Sequence, residues 1–322
     1  MTMQSAGGRE VTIVEAVRTP IGRGHREKGI YKDVHPNELL GIVQREVIER
    51  AGIQPGQVEN VLAGCVQQIG EQSLKIGRNA WLQAGLPIEV PATTLDLQCG
   101  SGQHAVNLGS GLVASGANDV LLGCGVEHMG HIPFGVGLLH PDETGVPFPQ
   151  PLLDRYQLVP QGISSEMIAE KWAISRSELD ELGLRSHQNA ARATDEGRFE
   201  REIVPVQAPA PDDGGAQTVA TDQGIRPDSS LEALAALKPA FKPDGVTTAG
   251  NSSQISDGAA AVLLMSRDKA DELGVKPRAR IVDHVTVGVD PVIMLTGPIP
   301  ATKLILERNK MTIGDIDLIE IN

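Results

Sequence analysis

Aromatic residues are nearly missing: two Trp, two Tyr and four Phe make up 2% of 322 residues. Single-stranded nucleic acid is held largely on stacked rings, so that partner is not expected. The interior has to be built from Val, Ile, Leu and Ala. Basic charge is short as well, with 28 Lys and Arg against 41 Asp and Glu, a formal −13. DNA would be repelled at long range, and a phosphate-bearing small molecule would need local donors. The three cysteines, Cys65, Cys99 and Cys124, are an odd number without C-x-x-C spacing. That excludes a disulfide framework and a zinc site and suits a reduced cytoplasm; no metal is expected. No apolar run approaches the roughly 18 residues of a membrane span. The first ten residues have no apolar signal-peptide core. A membrane partner is therefore not expected.

Glycine (36) and proline (21) are plentiful instead, and 40% of the chain is hydrophobic, enough for one large core or two to three smaller ones. Residues 11–17 form a β-branched run that reads as a strand, closed by the turn signal Arg18-Thr19-Pro20-Ile21-Gly22. Pro36-Asn37-Glu38 opens a helix through Arg50, with Leu39, Leu40, Val43 and Val47 on one face. Strands over 58–65, 92–98 and 119–123 alternate with helices over 73–84 and 101–115. That alternation predicts a parallel, layered α/β domain. From Val126 to Thr248 the character changes: Pro, Gly and His cluster, two helices are expected over 164–172 and 177–196, and residues 208–216 read as a connection. A buried strand returns at 258–264.

An internal repeat is faint but ordered. Gly56-Gln57-Val58-Glu59-Asn60-Val61-Leu62 and Gly314-Asp315-Ile316-Asp317-Leu318-Ile319 each close a strand–helix–strand run, with earlier strands at 11–17 and 280–287. This predicts two similar half-domains: residues 1–125 plus 249–276, then 277–322 as the start of the second, with 126–248 as an inserted loop domain. On this reading the second copy stops about 60–80 residues short of the first.

Cys99 lies in Asp96-Leu97-Gln98-Cys99-Gly100-Ser101-Gly102-Gln103-His104-Ala105, where a strand hands over to a helix. A thiol there meets unpaired N–H groups and the positive end of the helix dipole, which favour the thiolate. The Cys99 N–H could also help cradle an oxyanion. Gly102, Ala105, Gly109, Gly111, Ala114 and Gly116 leave much of the helix surface small. Glycine costs about 1 kcal/mol per helix position, so the repetition predicts close packing against another helix, with Cys99 deep in the molecule at the end of a tunnel. The alternative, a buried small hydrophobe, is the ordinary fate of a free cysteine and is the reading for Cys65 and Cys124. His104, His128, His131 and His140 are expected in surface or capping roles.

These runs together resemble the thiolase family. Arg18-Thr19-Pro20-Ile21-Gly22, Gln98 through Ala105, Gly250-Asn251-Ser252-Ser253-Gln254-Ile255-Ser256-Asp257-Gly258-Ala259-Ala260-Ala261, and Gly297-Pro298 with Asp317-Leu318-Ile319-Glu320-Ile321-Asn322 are similar to it in order and spacing. The resemblance implies a layered αβαβα fold of two half-domains with an inserted loop domain, the second half incomplete here. It implies acyl transfer between a 3-ketoacyl-CoA and CoA by ping-pong covalent catalysis. Cys99 matches the nucleophile, and Asn322 the residue that holds a water in an oxyanion site. Ser253 matches a serine on the pantetheine arm, and Arg226 an arginine near the adenine end of CoA. A capping Asn, a turn Ser and a solvated Arg are the other uses of those three. Coenzyme A and acyl-CoA enter as substrates, no permanently bound cofactor is implied, and family members are homodimers or homotetramers.

Two family segments do not occur in the 322 residues: a Gly-His-Pro run and a late Cys-x-Gly run. Without them a chain of this length is expected to have little or no turnover. Pro160-Gln161-Gly162-Ile163-Ser164-Ser165-Glu166 lacks the His-Met of many short-chain members, which favours a degradative, β-oxidation type of 3-ketoacyl-CoA thiolase with a longer or bulkier acyl chain. The other readings are an acetoacetyl-CoA thiolase, a ketosynthase-like condensing enzyme, and a non-catalytic acyl-CoA or sterol-carrier-like binding protein on the same fold.

Overall fold

Nine strands and a set of helices emerge in the computed structural model, which describes residues 8–138, 142, 145–210 and 215–322. His140 and part of the 208–216 connection lie outside the described residues. Two compact units are present: Met1–Glu143 with Ala190–Arg226 and Gln254–Ile281, and Thr144–Asn189 with Pro227–Ser253 and Val282–Asn322. No helix among the described residues is long and apolar enough to cross a membrane.

The first unit is a helix–sheet–helix sandwich. Its strands are β1 (Val11–Arg18), β2 (Gly22–Arg23), β3 (Asn60–Gly64), β4 (Ala92–Leu95), β5 (Val120–His128), β8 (Ser256–Ser266) and β9 (Ala279–Arg280); β6 (Val206–Pro209) and β7 (Ala216–Val219) form a separate hairpin. The main order is β4-β3-β5-β8-β1-β9, with β2 pairing to β8. Here the structure corrects the expectation of a parallel sheet. β3 runs parallel to β4 and β5, but β8 is antiparallel to both β5 and β1. β1 needs no crossover to its neighbour because β8 enters between β5 and β1 from the opposite end, and alternation along the chain carries no signal for such a late, distant strand.

Side-chain alternation decides which layer covers which face. Val61, Ala63, Leu122, Cys124, Leu263 and Met265 face one core with Leu39, Leu40, Val43, Ile76 and Trp81. Leu62, Leu121 and Leu264, one residue out of phase, face Ala105 and Val113. Helices α1 (Pro36–Ala51) and α2 (Ile76–Gln83) thus cover one side and α3 (Ser101–Ser115) the other. α1 starts where His35 Nδ1 accepts the Asn37 N–H at 3.1 Å and Pro36 presets the first turn. It stops at Gly52, whose φ of 71° suits the left-handed C-cap. Each fully buried Leu or Val of α1 contributes roughly 1.5–3 kcal/mol.

Helices Gln161–Trp172 and Arg176–Asp195 fall within a few residues of the expected 164–172 and 177–196, and Pro298–Asn309 supplies the helix of the second strand–helix–strand run. The strand expected over 280–287 does not form beyond Arg280, and residues 316–322 form none. Beyond Ile281, whose N–H bonds the Val11 carbonyl of β1, neither segment has a neighbouring strand among the described residues to satisfy its backbone, and a strand without a ladder is not stable on its own.

Candidate active site

β4 ends at Leu95 and α3 begins at Ser101, so Cys99 lies in the five-residue turn between them. Gln98 adopts φ 49°, the left-handed region that side chains avoid. Side-chain links close the turn. An Asp96 carboxylate oxygen accepts the Gln98 N–H at 2.6 Å. The Ser101 hydroxyl accepts the Leu97 N–H at 2.8 Å and donates to the Gln98 carbonyl at 2.5 Å. Below the turn, Gly64 at the end of β3 lets the helix start approach the strand closely. A Cβ there would lie 2.4 Å from the Ser101 carbonyl carbon.

Cys99 itself is exposed, which corrects the expected tunnel end. The glycines of α3 explain the difference. A Cβ at Gly109 would come within 2.5 Å of Leu121 and 3.0 Å of Leu264, so that position serves close approach to the sheet. At Gly102 and Gly111 it would meet nothing, and Leu108 on that side is exposed. The small residues bring α3 down onto the sheet and leave its other face open, with no helix over it among the described residues of the first unit. Cys65 and Cys124 are buried, and burial pushes both thiols up to about 12. Of the three, only Cys99 is both accessible and set at a helix start.

Arg18 of Arg-Thr-Pro is a tie within the first unit. Its guanidinium pairs with Asp222 at 2.7 Å and Glu202 at 2.6 Å. Burial works against its charge, but those two hydrogen-bonded carboxylates outweigh it and hold the group above its ordinary value. Asp222 also accepts the Ile21 N–H, at 2.7 Å. Arg226, in the same unit as Cys99, is exposed. Ser253 and Asn322 belong to the second unit and are exposed in irregular segments. The loop that carries Ser253 is fixed by its neighbour. Asn251 donates to Asp180 at 2.9 Å and to the Val246 carbonyl at 3.1 Å, and accepts the Thr248 N–H at 2.8 Å. Gly183 lets the helix pass 2.6 Å, measured to a virtual Cβ, from the Gly250 carbonyl.

The family profile described as "Thiolase, N-terminal domain" matches residues 11–268, and "Thiolase, C-terminal domain" matches 275–322. The chain belongs to the thiolase family. It is 42% identical over 320 residues to a 3-ketoacyl-CoA thiolase of Saccharophagus degradans, covering 98% of this chain and 78% of that protein. It is 42% identical over 320 residues to the steroid 3-ketoacyl-CoA thiolase FadA6 of Mycobacterium tuberculosis, covering 97% of this chain and 76% of that one. Among solved structures, the Bacillus anthracis acetyl-CoA acetyltransferase superposes with TM-score 0.85 at 35% identity, covering 99% of this chain and 81% of its own. Human mitochondrial 3-ketoacyl-CoA thiolase gives TM-score 0.85 at 32% identity, covering 98% and 80%.

In this thiolase His128 departs from the expected surface role. β5 runs on to His128 rather than ending near 123, which carries that imidazole into the core in register with Asp257. His128 Nε2 donates to the Tyr31 carbonyl at 3.0 Å, and Nδ1 accepts the His131 N–H at 3.2 Å and stands 3.4 Å from Asp257. Burial, only partly offset by Asp257, holds His128 below its ordinary value, and burial raises the Asp257 carboxyl. Both neutral forms are thereby favoured. The His131 ring stacks on His128 at 3.9 Å and meets Glu71 at 2.8 Å and the Lys32 carbonyl at 2.7 Å. Burial pulls His131 down, but those two acceptors outweigh it and raise the group. His104 is half-buried on α3, and its Nδ1 has no hydrogen-bond partner among the described residues. The residues that sequence reasoning passed over are Gly64, Asp96 and Ser101. Only a Ser at the first helical position and an Asp five residues before it hinted at the turn.

Proposed function

We propose that this thiolase-family chain is a 3-ketoacyl-CoA thiolase, an acyltransferase of the degradative, β-oxidation type, with Cys99 as its acyl carrier. The observation that carries the reading is the single accessible thiol, Cys99, held in the turn that leads into α3 while Cys65 and Cys124 stay buried as thiols. The names of the relatives support the substrate class. In the reaction, the Cys99 thiolate attacks the 3-keto carbonyl and the C2–C3 bond breaks. The leaving fragment takes a proton at C2 and departs as acetyl-CoA. The thiolate of a second CoA then attacks the acyl-Cys99 thioester and restores the free cysteine.

In the same reading Asn322 holds the oxyanion water, Ser253 meets the pantetheine arm and Arg226 the adenine end of CoA. CoA and acyl-CoA are substrates, with no permanently bound cofactor, in a cytoplasmic homodimer or homotetramer. The domain division is 1–125 with 249–276, an inserted 126–248, and 277–322.

Acylation of Cys99 by an acyl-CoA, with CoA as the leaving group, involves no proton transfer at carbon, the role the family gives its Cys-x-Gly thiol, and that half of the reaction is the test. The chain is mixed with octanoyl-CoA, and Cys99 is searched by mass spectrometry for an octanoyl thioester released by hydroxylamine. The adduct is expected on Cys99 and lost in Cys99→Ser. A chain that binds octanoyl-CoA yet leaves Cys99 free is a carrier, and the enzyme reading fails.

A further inference from the structure

The turn around Cys99 holds an uncommon combination: a strained residue directly before the nucleophile, fixed on both of its peptide groups by side chains. Gln98 sits at φ 49°, a left-handed conformation that crowds its Cβ against the backbone carbonyl oxygen. A five-residue turn free to relax would move Gln98 into an ordinary region and swing the next residue with it. Two side chains oppose that. Asp96 holds the Gln98 N–H at 2.6 Å from two residues upstream. Ser101, buried, spends both of its hydrogen-bonding roles on the turn, accepting the Leu97 N–H and donating to the Gln98 carbonyl. The Ser101 N–H reaches the same carbonyl at 2.9 Å.

The geometry matters because the Gln98 carbonyl and the Cys99 N–H belong to one planar trans peptide. Pinning the carbonyl toward Ser101 points the Cys99 N–H the opposite way. It also fixes the Cα of Cys99, the point from which the thiol projects. The helix start cannot drift either, since Gly64 puts the β3 backbone directly beneath Ser101.

We infer that Asp96 and Ser101 are positioning residues for acyl transfer. Together they hold Gln98 in its left-handed conformation, so that the Cys99 sulfur and N–H face an incoming thioester as one preset unit. Neither side chain touches the acyl group; both act through the Gln98–Cys99 peptide. The inference rests on Cys99 being the acyl carrier and adds how that carrier is aimed. Asp96 acts as an acceptor, not as a charge, so Asn in its place keeps the function and Ala loses it. Ser101 acts through its hydroxyl, which Thr retains.

The experiment compares two reagents on the full chain and its variants. Octanoyl-CoA reads directed attack on a carbonyl, and iodoacetamide reads only whether the thiol is exposed and ionised. Ångström-scale misplacement of a reacting group costs on the order of 100-fold. Asp96→Ala and Ser101→Ala are therefore expected to slow acylation of Cys99 by about 10- to 100-fold, with iodoacetamide labelling changed by less than about threefold. Asp96→Asn and Ser101→Thr are expected to restore acylation. Asp96 is exposed, so its two variants carry the decision even where a Ser101 variant folds poorly. Acylation unchanged in Asp96→Ala overturns the inference. So does an equal slowing by both reagents, which would mean a buried or collapsed thiol, and so does an Asp96→Asn variant that behaves like Asp96→Ala. If the parent is acylated no faster than Cys99→Ser, the thiolase reading itself falls and takes the positioning role with it, a pattern distinct from the other three.

Discussion

Two stretches of the chain begin with the same local code and end differently. In the first, α1 stops at Gly52 (φ 71°), a single 3-10 turn covers Pro55–Gln57, and β3 follows. In the second, the helix Pro298–Asn309 stops at Lys310 (φ 54°), a 3-10 turn covers Ile313–Asp315, and no strand follows. Even the turn locks agree. Gln57 Oε1 accepts the Gln54 N–H at 2.8 Å, and an Asp315 carboxylate oxygen accepts the Thr312 N–H at 2.8 Å. What differs is company. β3 has β4 and β5 on its two sides and Val61 fully buried, whereas Leu318 is 90% exposed and has no ladder to join. Helix, cap and turn are written locally; a strand exists only where another strand completes it.

The largest expected contrast lies in the helices. Leu39→Ala in α1 leaves a cavity under a fully buried position and should cost about 2–5 kcal/mol. Ile299→Ala in the second helix, at a position 62% exposed, should stay within about 0.5 kcal/mol. Urea unfolding of both variants checks the pair, and equal losses would break the comparison. A smaller contrast lies at the caps. Gly52→Ala puts a Cβ at φ 71° and should cost about 1 kcal/mol, whereas Lys310→Gly relieves about 1–2 kcal/mol of strain at φ 54° and should gain what remains after the freer unfolded chain is subtracted. Opposite signs in thermal melts are the expected result.

The smallest contrast is in pH. The Thr312 backbone and hydroxyl hydrogen bonds hold the Asp315 carboxyl below its ordinary value. A depressed carboxylate stabilises the fold above its unfolded value, about 3.9, and that contribution is lost as the pH falls through the lower folded value. Gln57, its counterpart, does not titrate. Acid should therefore loosen the Thr312 amide while the Gln54 amide stays protected, as read by amide NMR shifts between pH 5 and the acid limit of folding. Asp315→Asn should remove the difference.

The helices were legible in the sequence because each carries its own start and stop: Pro36 and Gly52, Ser101 and Gly116. The position of Cys99 at a strand-to-helix turn was legible for the same reason. Its exposure was not, since a run of small residues states that something packs closely without stating what. Gly109 answers to Leu121 and Leu264, far along the chain, while Gly102 and Gly111 answer to nothing in their own unit. His128 was misread because β5 continues through it, and only the pairing with Asp257 on β8 makes that continuation stable. The strands over 280–287 and 316–322 failed for the converse reason.

The reversed strand β8 also sets a timetable. It is the partner that closes β1 into the sheet, and Thr12 bonds to Met265 across 253 positions of chain. At ribosomal speeds of about 5–20 residues per second, β1 waits roughly 13–50 s for that partner to be made. Until then a β-branched segment near the amino terminus has an unsatisfied edge. The nascent protein thus carries β1 unpaired until β8 has been made, and chaperone demand should fall once residue 266 has cleared the exit tunnel.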